Sequence, residues 1–174
     1  MNKKDVAIVI GHDIISKGAY SDILGMYEYD YNMQVAKLVG CDIYTHSRNV
    51  SYRRKMKATY SKLSDYDLTI ELHFNAAHPA ANGAEALYFH TNERGRRAAM
   101  LYSKMVSDQY GTRNRGDKPL NNANQRGYWA VASGIPTAII AEPFFGTNVE
   151  ANKFKDVCEY AGVLSEFILQ YNLW

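Results

Sequence analysis

The chain has 174 residues, 47% apolar and 22% charged. These values suit an ordinary globular domain and exclude collagen-like, coiled-coil and fully disordered chains. Lys and Arg number 20 against 18 Asp and Glu, a net charge of +2, which gives no reason to invoke nucleic acid but is compatible with an anionic polymer as substrate. Two cysteines, Cys41 and Cys158, make neither a disulfide framework nor a four-thiolate metal site. Both fall in segments that read as core, so both are expected to be buried and inert.

The elements follow in chain order. Val6–Ile10 is a β-branched apolar run, too short for a signal peptide or a membrane span. The expectation is a protein made in the cytoplasm, with no membrane partner. The run itself predicts a strand buried on both faces, stopped by Gly11. Tyr27, Tyr31, Val35 and Leu38 recur at helical spacing up to a helix stop at Gly40. Short strands are expected at 41–45, 68–74 and 84–89, with a polar surface helix at 51–63 between the first two. Ala98, Leu101, Tyr102, Met105 and Val106 predict a helix ending near Gly111. Residues 112–126 are rich in Asn, Gly and Arg without periodicity, and a functional or mobile loop is expected there. Residues 128–133 are ambiguous. Thr137–Ala141 is another buried strand, and Phe154 to Ile168 an amphipathic closing helix. Strands alternating with helices predict a single α/β domain over residues 1–174.

Three of these apolar runs end in an ionisable residue that strand packing does not require: His12 after Ile10, His73 after Leu72, and Glu142 after Ala141. Catalytic and ligand groups of α/β sheets collect at the carboxyl ends of strands, so these three share a site if their strands are parallel neighbours. Glu28, at the start of the first helix, suits either the positive end of the helix dipole or a metal. Two imidazoles and one carboxylate are a ligand set of catalytic zinc. Glu71 lies two residues before His73 on the same strand face; it is either a partner that orients the His73 ring or a surface residue of an edge strand. His46, His78 and His90 are expected to have no metal role. Most of the 14 tyrosines are expected to be packing residues, with Tyr128 and Trp129 the aromatics closest to a binding groove. Arg53-Arg54-Lys55-Met56-Lys57 reads as a solvated helix face.

The same residues carry a family resemblance. Ile10-Gly11-His12, Gly18-Ala19 followed by Glu28, Glu71-Leu72-His73-Phe74-Asn75-Ala76, Ala81-Asn82-Gly83-Ala84-Glu85, Asn114-Arg115-Gly116 and Ala141-Glu142-Pro143-Phe144-Phe145-Gly146-Thr147-Asn148 resemble, in order, the zinc-dependent N-acetylmuramoyl-L-alanine amidases of autolysins and phage endolysins. The resemblance implies a mostly parallel six-stranded sheet flanked by helices on both faces. It implies one zinc ion per chain held by His12, Glu28 and His73, with Glu142 the catalytic carboxylate. It places Asn75, Asn82, Glu85 and Arg115 at the substrate, peptidoglycan. The expected reaction is hydrolysis of the amide between N-acetylmuramic acid and L-alanine, by a monomer without a wall-binding domain that reaches the cell wall after release. A zinc carboxypeptidase-type hydrolase and a non-catalytic peptidoglycan-binding module are the alternatives. Glu71 stands where the family commonly has a small or hydroxylic residue.

Overall fold

Successive side chains of a strand point to opposite faces, and that parity sorts the core. The computed structural model describes residues 4–48, 50–133 and 137–172, with Lys4 and Asp5 by backbone alone. Strand β1 (Lys4–Ile10) is followed by a two-residue hairpin pair, β2 (Tyr20–Ser21) and β3 (Met26–Tyr27), and by helix α1 (Glu28–Val39). Then come β4 (Asp42–Thr45), α2 (Tyr52–Tyr60), β5 (Tyr66–Leu72), β6 (Ala84–Phe89) and α3 (Glu93–Tyr110). The chain continues through β7 (Asn114–Leu120), the short α4 (Tyr128–Val131), β8 (Thr137–Glu142), a 3-10 turn (Val149–Phe154) and α5 (Val157–Asn172).

Six strands form one sheet in the order β4-β1-β5-β8-β6-β7. The pairs β1–β4, β1–β5, β5–β8 and β6–β7 are parallel, and only β6–β8 is antiparallel. Val6, Ile8, Ile10, Leu68, Ile70, Leu72, Ile139 and Ala141 face α1, α3 and α5. Ala7, Val9, Ala138 and Ile140 face α2 and α4. Helices on both faces bury the central strands, which is why these read as continuous apolar runs. No helix among the described residues is long and apolar enough to cross a membrane.

Several expectations are corrected. Within 112–126, the expected loop, residues 114–120 form the edge strand β7. Its side chains are mostly half-exposed, so it carries no apolar alternation; backbone pairing to β6 holds it, and an edge position tolerates Pro119. The helix α1 buries Tyr29, Tyr31, Asn32, Val35 and Ala36, while Tyr27 and Leu38 are exposed. The inward stripe is therefore rotated from the expected one. Cys158 is exposed at the start of α5 and Cys41 is partly buried, so neither is a core thiol. The ambiguous segment contains α4. Strand β5 ends at Leu72, two residues earlier than expected.

The chain beyond β5 and β8 is held by aromatic packing. Phe144 stacks on Phe154 with centroids 4.4 Å apart, meets Tyr31 edge-on at 5.5 Å and lies 5.2 Å from Phe74. The Tyr31 hydroxyl donates to the Phe154 carbonyl at 2.9 Å. The Asn75 amide donates to the Phe144 carbonyl, and the Gly146 amide to the Asn75 carbonyl, so the segments that leave His73 and Glu142 stay paired. Phe144 is fully buried. Phe144→Ala is expected to cost about 3–5 kcal/mol, read as a lower urea midpoint at unchanged slope.

Candidate metal centre

The strand order settles which ends meet. β1, β5 and β8 are adjacent and parallel, so His12, His73 and Glu142 leave the sheet at one edge. β6 runs the opposite way to β8, which sets Glu85 opposite Glu142. β7 follows β6, so Arg115 arrives at the same edge. A groove of about 750 Å³ lies there, of a size that suits a ligand site. His12, Glu28, Glu71, His73, Asn75, Glu85 and Glu142 contribute to one part of its lining, and Arg53, Lys55, Arg126 and Trp129 to another.

His12 adopts a left-handed backbone, φ 68°, the only non-glycine among the described residues to do so. Such a conformation persists where the surroundings impose it and clusters at functional sites. It turns the chain sharply off β1. Gly11 and Gly18 supply the room. A Cβ at Gly11 would run into the His73 ring, and one at Gly18 would lie 2.6 Å from both Glu28 Oε2 and His12 Cδ2.

Glu28 is the first residue of α1, yet it makes no side-chain cap; the N-cap residue Tyr27 makes none either. Its carboxylate turns to the histidines instead. Oε2 lies 3.0 Å from His12 Nε2, and Oε1 lies 2.7 Å from His73 Nδ1. The backbone amides of Phe74 and Ala19 donate to the same carboxylate at 3.2 and 3.3 Å. Burial pushes its pKa up, but the hydrogen bonds from His12 and His73 outweigh that and hold it down at about 2. For His73, burial works to lower the pKa, and hydrogen bonds to Glu28 and Glu71 overcome it, raising it well above the usual range. Without a metal, the protein collects positive charge on an imidazole between two carboxylates.

Donor atoms of His12, Glu28 and His73 all lie within 4.8 Å of one another. Two imidazoles and a buried ionised carboxylate, closed in by Gly11 and Gly18 and open to a groove through the one-third-exposed side chain of His12, fit a zinc ion with a free position. These are the three ligands expected from the sequence, brought together.

Glu142 stands apart from that triad. Its Oε2 is buried without a hydrogen-bond partner, and burial pushes its pKa up to about 8, helped by the neighbouring carboxylates of Glu28, Glu85 and Glu71 and opposed by His73. A protonatable carboxylate without a fixed partner beside three side chains that could hold a metal is suited to carry a proton.

The expected substrate residues also meet. Asn75 Nδ2 donates to Glu85 Oε1 at 2.8 Å, Arg115 Nε donates to Glu85 Oε2 at 2.8 Å, and the Arg115 guanidinium reaches the Asn82 carbonyl at 3.5 Å. Arg115 also lies over the Phe145 ring, 5.0 Å from its centroid. Tyr128 and Trp129 were the expected groove aromatics, and Trp129 lines the groove. Nine of the 14 tyrosines are buried, so packing accounts for most of them. His78 and His90 are exposed.

Two features escaped the sequence. Arg53, exposed as a solvated face expects, and the half-buried Lys55 also line the groove. The Arg53 guanidinium lies 4.4 Å from the centroid of the Trp129 ring, and Lys55 Nζ lies 2.7 Å from Asp13 Oδ2. His46 is buried, with Nε2 3.3 Å from Glu71 Oε1. Glu71 itself lies on a central strand, not an edge, and is buried. A carboxylate inside an apolar strand needs buried partners, and that was the signal that could have found His46.

A family model described as N-acetylmuramoyl-L-alanine amidase matches residues 6–156. No curated protein matches the chain. Among solved structures, an N-acetylmuramoyl-L-alanine amidase from Clostridium difficile 630 superposes with a TM-score of 0.73 at 23% identity, covering 99% of this chain and 96% of that one. The catalytic domain of the CD27L endolysin, targeting Clostridia difficile, gives a TM-score of 0.73 at 24% identity over 96% of this chain and 97% of its own. The amidase AmiC2 of Nostoc punctiforme gives 0.75 at 20% identity, with 98% of each chain covered.

The Glu142 carboxyl carries a stability consequence. The folded state raises its pKa from 4.5 to about 8, so between those values the native protein holds a proton that the unfolded chain has released. That contribution is fully present below pH 4.5 and is lost as pH rises through about 8. Metal-free wild type is therefore expected to lose stability relative to Glu142→Gln across this window, by about 3–5 kcal/mol at about 1.4 kcal/mol per unit of pKa. Urea unfolding of both proteins at pH 5 and pH 8.5 checks it.

Proposed function

The chain belongs to the N-acetylmuramoyl-L-alanine amidase family, and from that premise we propose that it hydrolyses the amide joining N-acetylmuramic acid to L-alanine in peptidoglycan, with one zinc ion held by His12, Glu28 and His73. The observation that carries the reading is the meeting of these three side chains with the unpartnered carboxyl of Glu142 in a single groove. Bound zinc supplies a Lewis acid that lowers the pKa of a water toward about 7 and offsets charge on the amide oxygen.

The chain's own groups do the rest. Glu142 accepts the proton of the attacking water on its buried carboxylate and delivers it to the nitrogen of the breaking C–N bond. The products are the lactyl carboxylate and a free L-alanine amine. The carboxyl group's elevated pKa suits both halves of that transfer near neutrality. Glu28 keeps its charge at all working pH values and orients both imidazoles. Asn75 and Glu85 line the groove, Arg115 and Asn82 are joined to them by the hydrogen bonds described above, and the four position the peptide. The chain works as one catalytic domain, and its fold likeness to an endolysin catalytic domain supports a role on the cell wall as an endolysin or autolysin.

Glu142→Gln is expected to keep stoichiometric zinc and lose at least about 100-fold in turnover. His73→Ala is expected to lose the zinc, and chelation of the wild type to abolish activity. Amine release from purified peptidoglycan, paired with elemental analysis, checks all three. A carboxypeptidase-type enzyme would leave the L-alanine amine blocked, and a binding module would release no amine. Near-normal turnover by Glu142→Gln would refute its role.

A further inference from the structure

The sheet gives Glu71 no reason to be a carboxylate. Its lateral neighbours in register are Val9 and Ile140, both buried apolar residues, and it is 2% exposed, one residue before the carboxyl end of β5. Burying an ionised carboxylate there is costly unless each oxygen finds donors. Three are found. Oε1 accepts from His73 Nε2 at 3.0 Å and from His46 Nε2 at 3.3 Å, and Oε2 accepts from the Tyr60 hydroxyl at 2.7 Å. His46 Nδ1 in turn lies 2.9 Å from Thr59 Oγ1. The His46 side chain is 1% exposed, and Thr59 and Tyr60 belong to the buried face of α2.

These bonds fix directions. The ionised Glu71 carboxylate can only accept, so His46 Nε2 carries the proton that faces it, and Nδ1 of a neutral His46 then accepts from the Thr59 hydroxyl. Glu71 can then only accept from His73, which keeps the His73 proton on Nε2. His73 Nδ1 is left facing the place where Glu28 and His12 converge, 2.7 Å from Glu28 Oε1, and would offer its lone pair there when a metal takes the place of its proton. A carboxylate on the outer nitrogen of a ligating histidine sets its tautomer, ring orientation and basicity.

We propose that His46 and Tyr60 are positioning residues for the metal centre. Through Glu71 they lock the His73 ring with Nδ1 as its ligand atom, so that α2 and the end of β4 set the zinc affinity. The proposal rests on His73 being a ligand. It goes beyond that reading by making zinc retention depend on side chains that touch neither metal nor substrate.

Zinc affinity of the full chain is measured by competition with a chromophoric chelator, alongside the absorption spectrum of the cobalt(II)-substituted protein. The variants are Glu71→Gln, His46→Gln, Tyr60→Phe and His73→Ala, each with its thermal unfolding midpoint. Glu71→Gln keeps shape and an acceptor but loses the charge, and is expected to weaken zinc binding about 10–100-fold. His46→Gln and Tyr60→Phe are expected to act in the same direction, and all three to shift the cobalt spectrum, which a purely structural loss at α2 would not do. If His73→Ala loses zinc while the other three, folded, bind within twofold of wild type with an unchanged spectrum, the positioning role is overturned and the metal centre stands. If His73→Ala itself retains wild-type affinity, the assignment of the centre fails and the proposal with it.

Discussion

Everything at the groove depends on three strands lying side by side in the same direction. β1, β5 and β8 bury mostly apolar side chains under the helices, β5 carrying the buried Glu71 as well, and an ionisable residue, His12, His73 or Glu142, stands where each leaves the sheet. Parallel pairing converts distances of 61 residues, between His12 and His73, and 69 residues, between His73 and Glu142, into neighbouring positions. The fourth group, Glu28, comes from a helix rather than a strand. It reaches the site because the α1 terminus is tied back by backbone bonds from Glu28 to Ala19 and from Tyr29 to Lys17.

The second constraint is charge. Glu28, Glu71, Glu85 and Glu142 crowd one region of the groove. The fold handles them differently. Glu28 and Glu71 stay ionised because histidines and backbone amides donate to them. Glu85 is held by Asn75 and Arg115. Glu142 has no such partner on Oε2 and is driven toward its neutral form. The same burial therefore produces a set of anchored anions and one movable proton, a separation of roles set by hydrogen bonding rather than residue type.

Much of this was legible in the sequence, for definite reasons. The β-branched runs ending at Ile10 and Ala141 could hardly be anything but buried strands, and a histidine or glutamate directly after them was conspicuous. Gly40 and Gly111 both close their helices in left-handed conformation, as their positions implied. What could not be read was pairing without pattern. β7 is held by backbone bonds and shows no alternation, so it resembled a loop. The burial of His46 could not be read because its partner, Glu71, is distant in sequence, and the contact of the exposed Arg53 with Trp129 was hidden for the same reason. Glu71 lay open between two readings until its strand proved central.

The central claim is that His12, Glu28 and His73 grip one zinc ion. Diffraction from zinc-loaded crystals at the zinc absorption edge tests it most directly. The account predicts a single strong anomalous peak at about 2.0–2.2 Å from a nitrogen of each histidine and an oxygen of Glu28. A peak elsewhere on the chain, or none at these three side chains at full zinc loading, would contradict it.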